Sequence, residues 1–471
     1  LFTIASIYET LVNVSYQQLV VVKPQKQIED KLSTEVTAED LEKGIEDEFG
    51  IKYSWDGKRL LKGINVKKYK IKEGIKAICN GAFSLCSSLQ EIYIPNGVTM
   101  IGNYAFLHCD FLREISIPDS VTSIGDRAFY GCGFLREISI PKSMTNIGNR
   151  AFEGCSSLLK LSIHKGVTSI GYSAFEGCSS LRAISIPKGV TSIENDTFSD
   201  CSSLQEVSIP EGVTNIGDRA FWNCVSLLEI SIPKDVTNIG KWAFRGCKSL
   251  QEISISKNVT NIGNSAFEGC GSLLKLSIPE NVTSISYCMF GGCSSLQEIY
   301  IPESVTNIDS RAFWGCSSLR EISIPNGVVN IGEWAFRGCK SLQKISIPKS
   351  VTDIGDSAFF CCTSLREISI PEDVKSIGCN TFYGCRSLLK LSIPKGVTSI
   401  GNSAFSACQS LLEMSLPKDV ASIDNYAFKY CYSLRQISIP EGVTSIGDDA
   451  FGFCSSLHQI IIPSTVKKIG T

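Results

Sequence analysis

The chain has 471 residues, 20% charged and 43% hydrophobic, with a formal net charge of −2. Mixed, nearly balanced charge argues against a nucleic-acid or anionic-membrane binder, whose affinity comes from neutralising phosphates with an excess of Lys and Arg. No run of 18 apolar residues occurs, so no segment reads as a membrane-spanning helix.

Residues 1–23 are moderately apolar but interrupted by Glu9, Asn13, Gln17 and Gln18, and no basic stretch precedes them. They do not read as a signal peptide and stay unassigned. Residues 24–65 differ in composition from everything after them and are expected to cover the open edge of a repeat array. Within them Thr37 and Asp40 are spaced as a helix N-cap and its third-position acid. Ala38, Leu41, Ile45 and Phe49 share one helical face, which Gly50 would close. Ile51–Ser54 and Lys58–Leu61 flank Asp56-Gly57, a two-residue hairpin signal.

From about Val66 to Thr471 a 23-residue block, LxxIxIPxxVTxIGxxAFxGCxS, repeats without insertion or deletion. Phe recurs from Phe83 and Phe106 to Phe451, and a Cys follows each three residues later, from Cys86 to Cys454, seventeen times. A fixed period of this length means a stacked solenoid, because one unit cannot bury its own apolar face. Residues 66–471 therefore form about eighteen coils, the last stopping partway at Thr471.

The unit Leu112–Leu135 shows how each coil is built. Leu112, Ile115 and Ile117 alternate in a short strand, and Pro118, lacking an N–H, ends it. Val121 and Ile124 return an apolar pair across the core, and Gly125 is expected at a turn with positive φ. Ala128 and Phe129 open a helical turn or short 3₁₀ segment ending near Cys132. The predicted fold is a β-rich solenoid with one short parallel strand per coil on the concave face. Turns or 3₁₀ segments make up the convex face.

Seventeen of the 21 cysteines occupy the repeat position, and Cys79, Cys288, Cys361 and Cys379 lie off it. No CxxC pair or His cluster accompanies them, so no metal site is expected. A small hydrophobe locked beside AFxG belongs in the core. Neighbours stacked about 5 Å apart would point in parallel, a poor geometry for disulfides, and so a buried ladder of reduced thiols is predicted.

The outward strand positions carry most of the variation. The second position is Arg six times, Gln five, Leu five and His once; the third is Glu ten times and Lys four. Ten Glu against six Arg and four Lys make a nearly neutral sheet, which one reading treats as a solvated face kept soluble by Arg–Glu neighbours. The other makes it a polar strip for a protein ligand: Glu91, Arg113, Glu114, Arg136 and Glu137 beside Tyr93, with Tyr300, Arg320 and Glu321 further along. A second candidate lies in the AF segments. Arg219 and Trp222 are followed one unit later by Trp242 and Arg245, and the swap recurs at Arg311, Trp314, Trp334 and Arg337. Stacking in register would set Arg219 on Trp242, Trp222 on Arg245, Arg311 on Trp334 and Trp314 on Arg337. Such pairs serve either as structural glue or as a partner patch.

Catalysis needs unlike residues converging on one cavity. His108, His164 and His458 are isolated substitutions, and no nucleophile elbow, HExxH or phosphate loop occurs. No catalytic, cofactor-binding or metal residue is assigned, and an enzyme is not expected.

The consensus, with its LxxIxIP strand, IG turn and AFxxC, resembles the BspA-like (Treponema-type) leucine-rich repeat family over residues 66–471. YSWDGKRLLKG, residues 53–63, resembles the capping stretch that precedes such repeats. The resemblance implies a non-enzymatic solenoid, often at the cell surface or secreted, some of whose members bind host matrix proteins or other cells. No family ligand residue is fixed by a motif, so none carries over. Near-copies at 211–256 and 303–348, offset by 92, and SLLKLSI at 157–163, 272–278 and 387–393, mark duplicated blocks. They favour a length-variable scaffold, either displayed outside the cell with a protein ligand such as extracellular matrix, or intracellular without a single dedicated ligand.

Overall fold

The computed structural model describes residues 32–471. Residues 1–23, and those of the 24–65 segment before 32, lie outside them. Thr34–Thr471 form one compact unit. It opens with α1 (Ala38–Lys43), whose N-cap Thr37 accepts the Asp40 N–H while Asp40 accepts the Thr37 N–H. The helix does not continue to Phe49. Gly44 ends it, and Ile45 and Glu46 form β1, antiparallel to β2 (Lys52–Tyr53). The Asp47 carboxylate accepts the N–H groups of Phe49 and Ile51, which turns the chain where a fourth helical turn would have run. The apolar period was present, but pairing with β2 outcompeted a six-residue helix with no buried residue. β2 pairs antiparallel with β3 (Arg59–Lys62) around Asp56-Gly57, where Gly57 takes φ +69°.

β3 then pairs parallel with β5 (Ala77–Ile78), so the segment joins the array through backbone hydrogen bonds. β4 (Lys68–Lys70) and β6 (Glu91–Tyr93) begin the strand ladder of the repeats, in parallel and in register at an offset of 23. Their inward residues, such as Ile92, Ile115 and Ile138, are buried. A second ladder, which the sequence pattern did not reveal, runs through the Thr-x-Ile turns. Two-residue strands such as Met100–Ile101, Ser123–Ile124 and Asn146–Ile147 pair parallel, coil on coil. Asn side chains reinforce it: Asn238 Nδ2 donates to Asn215 Oδ1 at 2.7 Å, and Asn261 Nδ2 to Asn238 Oδ1 at 2.6 Å.

Gly125 has no positive φ, contrary to expectation. It is required by close approach: an added Cβ would lie 2.4 Å from Asn103 Oδ1 and 2.6 Å from Asn103 N in the preceding coil. That same Oδ1 accepts the N–H of Asp126 at 2.8 Å, so the IG-(Asn/Asp) step stitches neighbouring coils together.

The AF segment is neither helical nor 3₁₀. Arg127 and Gly131, two residues either side of Phe129, are left-handed, with φ 53° and 74°, and the same pair of positions is left-handed in the other repeats. Alternation of hand splits the hydrogen bonds into two sets. Arg127, Phe129 and Gly131 donate to Asn149, Ala151 and Glu153 of the next coil, while Ala128, Tyr130 and Cys132 close turns onto Gly125, Arg127 and Phe129. A 3₁₀ run would have spent every donor within its own coil. Here alternate donors bind coil to coil instead.

The phenylalanines stack face to face between coils, with centroids 5.1–5.7 Å apart and planes within 2–14°. Strands in a sheet lie about 4.8 Å apart. The wider spacing on the Phe side therefore bends the array with its long strands inward, on the concave face.

Candidate functional site

The third and fifth residues of each long strand project from the concave face, while the residue between them enters the core. At its N-terminal end the face holds a shallow hollow of about 970 Å³. It brings together Glu91, Tyr93, Arg113, Glu114, Arg136 and Glu137, six of the nine residues assigned to the strip from sequence. Tyr300 lines a separate hollow of about 470 Å³ with Lys275 and Glu298, its hydroxyl donating to Glu280 at 3.1 Å. Arg320 and Glu321 lie one coil beyond, exposed on the same face.

Strand register explains how the strip is charged. Glu91 pairs across the ladder with Lys68 and Glu114, and Glu137 with Lys160. Lys68 Nζ lies 2.7 Å from Glu91 and Lys160 Nζ 2.8 Å from Glu137, so two lysines close the ends of a run of three glutamates. Among the described residues Arg113 and Arg136 make no ion pair, and their guanidinium donors face solvent. Lys68 and Lys70, the latter 5.1 Å over the Tyr93 ring, were missed because VKKYKIK departs from the consensus. Counting back 23 from Glu91 and Tyr93 would have found them. Phe111 and Phe134 were also missed: they stack 5.1 Å apart and are 44% and 45% exposed, where most repeats have Ser.

Further along, Glu206, Glu229 and Glu252 line a hollow of about 710 Å³ with Ser185, Ser208 and Ser231. Glu229 and Glu252 are direct cross-strand partners. The face thus alternates between lysine-closed and open acidic stretches above one apolar floor.

The tryptophan pattern is half as expected. Arg219 lies 5.0 Å over the Trp242 ring and Arg311 4.3 Å over Trp334. Trp222 with Arg245 and Trp314 with Arg337 do not pair. Arg245 turns instead to Glu268 of the next coil at 3.1 Å, and Arg337 sits on Trp334 and Phe360 at 4.8 and 4.7 Å. Trp314 leans back over Gly291, where an added Cβ would be 3.6 Å from its ring.

The three histidines stay apart. His108 Nδ1 lies 3.4 Å from Asp110, His164 Nδ1 accepts the Gly166 N–H at 3.1 Å, and His458 Nδ1 lies 2.7 Å from the Ser456 carbonyl. Among the described residues no group of three or more His, Cys, Asp or Glu side chains is arranged to hold a metal ion.

All 21 cysteines are free thiols, and those at the repeat position are buried. Each, from Cys109 onward, donates its S–H to the Phe carbonyl of the coil before, at 3.1–3.4 Å, from Cys109 to Phe83 through Cys178 to Phe152 to Cys454 on Phe428. Burial pushes the thiols up, to about 11 for Cys86 and Cys454 at the ends, about 12 for Cys247, and well above 9.0 for the fully buried ones between. They are spacers and weak donors, not nucleophiles.

Among known proteins, the model for the BspA type leucine rich repeat region matches residues 57–182, 168–297, 260–388 and 352–471. A leucine-rich repeat protein from Bacteroides ovatus, solved by crystallography, is 30% identical with a TM-score of 0.60, covering 75% of this chain and 91% of its own. A leucine rich cell surface protein from Faecalibacterium prausnitzii is 24% identical over 91% of this chain and 92% of its own, at a TM-score of 0.36. A leucine-rich repeat protein of T. pallidum is 29% identical over 39% of this chain and 78% of its own, at 0.32. The search of curated proteins returned no match. With the 23-residue coil, the parallel strand ladder and the family match all in one register, this chain belongs to the BspA-type leucine-rich repeat family.

Proposed function

We propose that the chain is a non-enzymatic scaffold that binds a protein through its concave strand face and is displayed at the cell surface or secreted. The partner is an extracellular-matrix protein or a protein of another cell's surface. The observation that carries this reading is the N-terminal hollow, where Tyr93, three in-register glutamates, two unpaired arginines and two flanking lysines converge on one exposed strip. A wide, shallow, mixed-charge surface with an aromatic edge suits a protein better than a small molecule, which needs enclosure. Residues 34–65 are proposed to cap the first coil, a role supported by the parallel pairing of β3 with β5.

The test is binding of the full chain to a panel of immobilised extracellular-matrix proteins. Glu114→Lys with Glu137→Lys reverses two charges on the strip, leaves the core untouched, and is expected to weaken binding by about tenfold or more. Equal binding by this variant and the wild type would remove the strand face as the site. Failure of the wild type to bind any of them would remove matrix proteins as the partner class.

A further inference from the structure

The two near-copies at 211–256 and 303–348 keep the same Arg and Trp residues but sit between different neighbours. In the first copy each arginine has a carboxylate one coil away. Arg219 lies 4.0 Å from Asp196, 23 residues before it, and Arg245 lies 3.1 Å from Glu268, 23 residues after it. The same two positions around the second copy hold Cys288 and Phe360. Among the described residues Arg311 and Arg337 accordingly have no carboxylate within ion-pair distance. Their partners are neutral: the Tyr287 hydroxyl at 2.7 Å from Arg311, the Trp334 ring with Arg311 at 4.3 Å and Arg337 at 4.8 Å, and the Phe360 ring at 4.7 Å from Arg337. One indole thus contacts two guanidinium groups, neither with a carboxylate counter-charge.

They border a hollow of about 360 Å³. Its floor is small or flush, with Ser265 and Cys288 buried, and its far wall is the already neutralised Arg245–Glu268 pair. Trp314, 41% exposed, gives an apolar rim. Two like charges held on one ring repel each other, and that repulsion is relieved by an anion that both can reach. A guanidinium presents its donors in a planar fork matched to an oxyanion.

We propose that Arg311, Trp334 and Arg337 form an anion-binding site, away from the strand face, which takes a carboxylate from an acidic segment of a protein partner. Guanidinium groups supply the charge-assisted hydrogen bonds and Trp314 packs the apolar part of the bound side chain. The first copy is closed to such a ligand because Asp196 and Glu268 already occupy its arginines. The site shares no residue with the strand-face reading, so either fails without the other.

The test uses the full chain, with binding of acetyl-Gly-Glu-Glu-Gly-amide followed by tryptophan fluorescence and calorimetry at low and physiological salt. Saturable, salt-sensitive binding is expected. Arg311→Gln with Arg337→Gln should weaken it about tenfold or more, as loss of charge-assisted contacts does. Phe360→Glu supplies the missing carboxylate to Arg337 and should weaken binding as well, even if the double variant folds poorly. Arg219→Gln, in the neutralised copy and outside the hollow, should leave it unchanged. Equal losses at both copies, or no saturable binding by the wild type, would overturn the proposal. Inorganic phosphate displacing the peptide at an equal or lower concentration would overturn the acidic-segment assignment, since the site would then take a free oxyanion in its place.

Discussion

Phe313→Ala is expected to cost about 3–5 kcal/mol, the range for emptying a packed aromatic site, and to spend it locally. Phe313 is fully buried and stacks on Phe290 at 5.5 Å and Phe336 at 5.3 Å. Its N–H donates to the Ala335 carbonyl, and its own carbonyl accepts the Cys339 thiol at 3.3 Å. These contacts reach one coil in each direction and no further. Coupling in such an array is between nearest neighbours, so hydrogen exchange should accelerate in the coils around Phe290, Phe313 and Phe336. Coils near Phe106 and Phe428 should keep their protection. Uniform loss of protection along the chain would show a globally cooperative body instead of a one-dimensional stack.

Alkaline pH is expected to unfold the array steeply. The ordinary thiol value is 9.0, and burial raises the folded-state value to about 12 for Cys247 and well above 9.0 for neighbours such as Cys270 and Cys293. Below pH 9 both folded and unfolded chains keep these protons, and stability is complete. Above it the unfolded chain releases protons that the folded chain retains, so stability falls with rising pH and continues to fall until the folded values are reached. Each buried thiol contributes about 1.4 kcal/mol per pH unit in that window, and several coils opening together multiply the slope. Urea midpoints measured from pH 8 upward should drop sharply. Replacing Cys247, Cys270 and Cys293 with Ala should flatten the drop for that region. A midpoint that stays constant through pH 10 would mean that the thiols are solvated in the folded state.

Much of this was legible in the sequence because the repeat has no insertions. A strict period of 23 fixes register, and register alone places Glu91 beside Glu114, Arg219 on Trp242 and Phe on Phe. What stayed hidden depends on contacts between coils that are not identical. Trp222 and Arg245 are in stacking register, yet Glu268 in the next coil offers Arg245 a carboxylate and wins. The left-handed residues escaped because positions such as Arg127, Trp242 and Cys288 carry side chains that do not advertise positive φ, unlike Gly131. Gly125 reads from sequence as a turn residue with positive φ, when what it provides is room against Asn103. The helix through Phe49 failed because periodicity cannot weigh six residues of weak helix against a strand partner at Lys52 and Tyr53. In the candidate site the glutamates and arginines were readable, and Lys68 and Lys70 were not, since the first strand has drifted from the consensus.

The in-register stack is tested most directly by counting reactive thiols in the folded protein with a neutral maleimide and locating them by mass spectrometry. Cys361 and Cys379, which are partly exposed, should label quickly, and the other nineteen only after denaturation, when all 21 react. Rapid labelling at repeat positions such as Cys224 or Cys316, or disulfides between successive repeat cysteines, would contradict the stacked core on which both proposed surfaces rest.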